Sequence, residues 1–128
     1  MSFKWIDHVV IAVKDMDQAV STYRDKLGLK LRGINNAPEL GIKQAHFDLG
    51  DGRFIELAEP LGPETAVGRS IERRGEGIPI LAVAVENMEK AKEEYESKGI
   101  QLIADGDQVF LHPRSTNGVL IQLIERPS

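Results

Sequence analysis

A chain that carries its own pattern twice is restricted to folds built from two like units, and this constrains the architecture more than composition can. The stretch IDHVVIAVKDMDQAVSTYRDKLGLKL, beginning at Ile6, is matched by IPILAVAVENMEKAKEEYESKGIQL, beginning at Ile78. Ile6/Ile78, Ala12/Ala84, Val13/Val85, Met16/Met88, Ala19/Ala91, Tyr23/Tyr95 and Gly28/Gly99 are identical pairs, and the alignment slips by one residue just before the glycine. In each copy an apolar, β-branched run predicts a strand. Asp15 or Asn87 then offers a helix N-cap, and a helical pattern runs on to the glycine. Met, Ala and Tyr recur on one helical stripe, which predicts a face packed on a sheet.

Each helix is followed by further strand signal. KQAHFDLG and RFIELAEP flank Asp51-Gly52, a strong hairpin signature. The second copy continues through DQVFLHP, the turn-rich RSTNG and VLIQLIERP, whose end resembles FIELAEP and makes Gln122 the counterpart of Glu56. Between the copies, PLGPETAVGRSIERRGEG has Pro and Gly at both ends and one short helical stretch, as a connector would. The expectation is a single α+β domain over residues 1–128, made of two tandem βαβββ modules at about 4–60 and 78–127 joined by residues 61–77. A module of that size cannot close a core alone, so two curved sheets around a central cavity are expected.

Composition narrows the function. At 128 residues, 41% hydrophobic and 28% charged, the chain is an ordinary globular one. A net charge of −4 with interspersed signs argues against nucleic acid as a partner. The absence of cysteine removes disulfides, thiolate nucleophiles and Cys-ligated zinc, so any metal would depend on His and carboxylate. No apolar run reaches the length of a signal peptide or membrane span, and the expected location is the cytoplasm. Gly-rich stretches lack the strand-loop-helix setting of phosphate loops and nucleophile elbows.

With the repeat and its strings on the page, the sequence resembles the vicinal-oxygen-chelate superfamily (glyoxalase, bleomycin resistance, dioxygenase), and most of all its methylmalonyl-CoA epimerase branch. The strings that carry this are IDHVVIAVKDMDQAVSTYRDKLGLKL, ELG at 39–41, FIELAEPLGPETAVGRSIERRGEGI and FLHPRSTNGVLIQL. The resemblance implies a glyoxalase-like fold with a curved mixed sheet, a small-molecule pocket between the modules, and a homodimer. It also implies a metal held by the first and last strand of each module. Carried over, that set is His8 and Glu56 from the first copy, with Ile80 and Gln122 where the second should supply a histidine and a carboxylate. Ile80 has no electron pair to give and Gln122 only a neutral oxygen, so affinity for Co, Zn, Mn or Ni should fall steeply. Weak metal binding and none both stay open.

Epimerisation beside a thioester carbonyl needs one group to take the α-proton and another to return it on the opposite face. The resemblance places two proton carriers at Gln44 and Gln122, where amides cannot perform that step. Glu56, His46 and Gln44 are the catalytic candidates, since His46 shares its strand face with Gln44. His8, Gln44, Ile80 and Arg114 are the ligand-contact candidates; Arg114, Ser115 and Asn117 in the last loop suit an acidic or phosphorylated ligand or a solvated turn. Arg73 and Arg74 read as a solvated face, and His112 as a turn residue bonding the backbone. Three functions follow: an epimerase-like protein binding a small acid or acyl thioester, a metal-free binding protein of the bleomycin-resistance type, and a metal-independent isomerase or lyase using His8, His46 and Glu56.

Overall fold

The computed structural model describes residues 3–128. Two βαβββ runs are present. The first comprises β1 (Trp5–Ala12), α1 (Met16–Val20, continuing as a π-helix over Ser21–Lys26), β2 (Lys30–Ala37), β3 (Ile42–Gly50) and β4 (Arg53–Pro60). The helix α2 (Ala66–Arg74) occupies the predicted connector. The second run comprises β5 (Gly77–Val85), α3 (Met88–Ser97), β6 (Leu102–Asp105), β7 (Gln108–Leu111) and β8 (Ile121–Glu125). The fold is α+β. The chain divides into two compact units, Val9–Pro79 and Ile80–Ser128 together with the chain up to His8, so the division falls inside β1 and β5.

In the first unit β2, β3 and β4 form an antiparallel meander beside β1. Asp51 and Gly52 both take positive φ (55° and 78°), the backbone that a two-residue hairpin turn requires. The core packs Met16 and Val20 of the helix on Val13, Ala45, Phe47 and Leu57, with Ala19 and Tyr23 against it. In the second unit the order is β5-β8-β7-β6, with β5 and β8 parallel and the other pairs antiparallel. Its core joins Val83, Val85, Ala91, Val109, Leu111 and Leu123, with Met88 and Tyr95 against it. The Met-Ala-Tyr stripe lies on the sheet in both units.

The two helices start alike. Asp15 and Asn87 accept from Gln18 N–H and Lys90 N–H, as the N-cap reading requires. A second acceptor completes each start: Glu59 at the end of β4 takes Met16 N–H at 3.0 Å, and Glu125 at the end of β8 takes Met88 N–H at 2.8 Å. They end differently. Tyr23 is followed by four residues before Gly28, whereas Tyr95 is followed by three before Gly99. The extra residue is absorbed as the π-helical turn, in which Leu27 N–H reaches back to Thr22 C=O. Both helices then stop at a glycine with positive φ.

Candidate functional site

Strand register decides which side chains share a face, because successive residues alternate. In the first unit Ala45, Phe47 and Leu57 point to α1, so Gln44, His46 and Glu56 belong to the opposite face. His46 and Glu56 are direct partners across β3 and β4, and Nε2 of His46 lies 3.4 Å from Oε1 of Glu56. The Phe54 ring meets the His46 ring edge-on at 5.1 Å, and the guanidinium of Arg32 lies over Phe54 at 5.4 Å. Gln44 accepts from Asn35 Nδ2 across β2 and β3 at 3.0 Å. The face therefore holds a carboxylate, an imidazole, an amide pair and an aromatic ring. Asn35 and Arg32 were not evident from the sequence, because the β2–β3 register that brings them in includes a bulge between Leu31 and Gly33; Phe54 shares the Glu56 face of β4 by alternation.

In the second unit Phe110 and Gln122 are partners across β7 and β8, and Ala82 adjoins Gln122 across β5 and β8. These three face away from Val83, Val109 and Leu123, and alternation puts Ile80 on the same side of β5 as Ala82. Gln122 stands where Glu56 stands in the first unit, and Phe110 where His46 stands. The pair capable of moving a proton is replaced by a ring and an amide.

Four polar or charged side chains among the described residues are buried: Asp7 at 1% exposure, His8 and Gln122 at 8%, and Glu56 at 9%. Three of these are sequence-derived site residues, and Asp7 is the addition. Asp7 Oδ2 lies 2.8 Å from His8 Nδ1, while Arg126 donates Nε–H to Oδ1 at 2.9 Å and Nη2–H to Oδ2 at 3.2 Å. Burial pushes the Asp7 carboxyl up, but hydrogen bonds from Arg126 and His8, with their charges, outweigh it and hold it below its usual value.

The remaining candidates sit in a turn and at a helix end. Arg114 sits exposed in the short 3-10 turn Pro113–Ser115. His112 caps that turn by accepting Arg114 N–H on Nδ1 at 3.0 Å, the backbone role its sequence context suggests. Arg73 and Arg74 are exposed in the last turn of α2, where cations complement the helix dipole. A cavity of about 400 Å³ inside the first unit is lined by Ile11, Val13, Gln18, Thr22, Tyr23 and Glu76 among others, and none of the candidate site residues lines it.

The donor set does not fit the four-ligand metal site that the resemblance implies. Gln122 is neutral and Ile80 has no donor atom, so two of the four implied positions bring neither an imidazole nor a carboxylate. Among the described residues no three His, Asp or Glu side chains converge as a metal site would need. No helix among the described residues is long and apolar enough to cross a membrane.

Fold and buried polar groups together define a glyoxalase-type protein. The glyoxalase-like domain family matches residues 6–122, and the chain belongs to that family, a vicinal-oxygen-chelate superfamily member close to the methylmalonyl-CoA epimerases. The chain is 29% identical to the mitochondrial methylmalonyl-CoA epimerase of Mus musculus over 92% of its own length and 71% of that protein. It is 32% identical to the solved methylmalonyl-CoA epimerase of Mycobacterium tuberculosis, with a TM-score of 0.87 over 98% of this chain and 89% of that one. A variant of the Streptomyces coelicolor epimerase in complex with 2-nitronate-propionyl-CoA also matches at a TM-score of 0.87, with 29% identity over 99% and 100% of the two chains.

Proposed function

We propose that the protein binds a small acyl-CoA thioester, or the corresponding acid, and moves the acidic proton beside its carbonyl through Glu56 and His46. The observation that supports this most is the pairing of the buried Glu56 carboxylate with His46 on one sheet face. Burying polar groups costs free energy that folding alone would avoid, so their concentration at family site positions favours a role with a ligand. The names of the relatives supply the substrate class: a methylmalonyl-CoA epimerase and a complex with an acyl-CoA analogue.

In this reading the carboxylate of Glu56 takes the α-proton, leaving the electron pair delocalised onto the thioester oxygen. His46 holds Glu56 in place and relays the proton to solvent. His8, and Gln122 through its amide, are assigned to ligand recognition. Inversion needs a second proton carrier, and Gln122 and Phe110 cannot act as one. Exchange of the α-proton with solvent should therefore outrun inversion at carbon.

The test is incubation of the protein, purified without chelator, with methylmalonyl-CoA in deuterated water, with exchange followed by NMR and binding by calorimetry. Binding with exchange supports the proposal. Binding without exchange supports the second reading, a binding protein that leaves its ligand unchanged, which the Phe110–Gln122 pair favours. Absence of binding overturns both. Titration with Co(II) or Zn(II) belongs beside it: tight stoichiometric uptake would overturn the metal-free assignment.

A further inference from the structure

Three of the four buried polar side chains were legible as site positions; the fourth, Asp7, is the least exposed of them and has no function in the reading above. Consecutive side chains of a strand point to opposite faces, so β1 alone does not bring Asp7 and His8 together, yet Oδ2 lies 2.8 Å from Nδ1. An ionised carboxylate only accepts, so the His8 ring must donate Nδ1–H to it. The carboxylate is itself oriented by two bonds from Arg126, beyond the end of β8.

We infer that Asp7 is a positioning residue, aimed by Arg126, that fixes His8 in the Nδ1–H tautomer and so makes Nε2 the acceptor nitrogen of the ring. The inference rests on the assignment of His8 to ligand recognition. A neutral imidazole has one donor and one acceptor nitrogen, and the bond made by one dictates the character of the other. His8 thus recognises a hydrogen-bond donor, such as a protonated carboxyl or an amide N–H of the acyl-CoA arm. The repeat provides an independent argument. Pro79 and Ile80 stand at the positions of Asp7 and His8, and Pro60 stands at that of Arg126. Both supporting members, Asp7 and Arg126, are absent from the copy that lacks the histidine, whereas the helix-capping glutamates Glu59 and Glu125 are present in both copies. A brace serving only the fold would not depend on the neighbouring ring.

The chain has 3 histidines, so nitrogen NMR of the full-length protein with labelled histidine resolves each ring, assigned by loss of its signal in single variants. At about pH 8, His8 should carry its ring proton on Nδ1. His112, whose Nδ1 accepts Arg114 N–H, should carry its proton on Nε2 and serves as the internal contrast. In Asp7→Asn the single remaining oxygen goes to Arg126 and the amide N–H₂ faces His8, so the His8 tautomer should reverse. Methylmalonyl-CoA affinity should then fall about 10-fold or more, because a ring nitrogen that donates toward a donor leaves a buried polar group unpaired. Arg126→Gln removes the brace and leaves the Asp7–His8 bond, so the tautomer should persist while thermal stability drops. A wild-type His8 protonated on Nε2, or an Asp7→Asn protein with the wild-type tautomer, overturns the inference; the wild-type spectrum decides even if Asp7→Asn does not fold. A correct tautomer without methylmalonyl-CoA binding by the wild type removes the proposed substrate class and not the positioning by Asp7.

Discussion

The two units share a scaffold and differ in chemistry. Met16/Met88, Ala19/Ala91 and Tyr23/Tyr95 pack the same helix face on the same sheet face, and Glu59/Glu125 close the same helix start. On the other sheet face the correspondence ends, with His46 and Glu56 in one unit and Phe110 and Gln122 in the other. The side of a sheet that builds the core is under a packing constraint common to both copies. The opposite side, which the proposed function assigns to the ligand, is not, and there the copies have separated into a carboxylate–imidazole pair and a ring–amide pair.

The comparison is broken most readily at Glu56. Glu56→Gln should lower α-proton exchange by about 100- to 10,000-fold, the range for losing a general base, while Gln122→Ala leaves exchange within a few-fold; a rate assay in deuterated water on both variants checks this. Leu57→Ala and Leu123→Ala remove equivalent core side chains, exposed at 0% and 2%. Each should cost about 2–5 kcal/mol by denaturant titration, and a large asymmetry would show that the two scaffolds are not equivalent.

Asp7 gives an acid-side pH signature. Its carboxyl titrates lower in the folded protein than its ordinary value of 3.8, so unfolding raises its proton affinity. The stabilisation is fully present above about pH 4 and is lost as pH falls through the folded value. Asp7→Asn should flatten that acid limb in thermal melts taken across the range. The smallest effect belongs to the helix starts. Glu59→Gln and Glu125→Gln should each cost about 1 kcal/mol or less, since Asp15 and Asn87 still cap.

Legibility follows the same divide. The repeat made the element order, the N-caps, the core stripe and the Asp51-Gly52 turn readable, because each depends on local periodicity or turn chemistry. The family resemblance singled out Glu56, and parity with Gln44 along β3 singled out His46. What periodicity could not give was distance: the His46–Glu56 contact and the Asn35–Gln44 bond depend on strand register. Asp7 escaped notice because its value comes from Arg126, at the far end of the chain. The slip in the repeat before Gly28 was visible as an inserted residue, but its form, a π-helical turn, is settled by packing of the Tyr23 stripe.

The central claim is that one unit holds the proton chemistry and the other does not. It is tested most directly by the ratio of inversion to α-proton exchange of methylmalonyl-CoA in deuterated water, compared between the wild type and Gln122→Glu. Restoring a carboxylate opposite Phe110 supplies a second proton carrier, so the account predicts exchange with little inversion in the wild type and a ratio at least tenfold higher in the variant. A wild type that inverts as fast as it exchanges, or a ratio unmoved by Gln122→Glu, would contradict it.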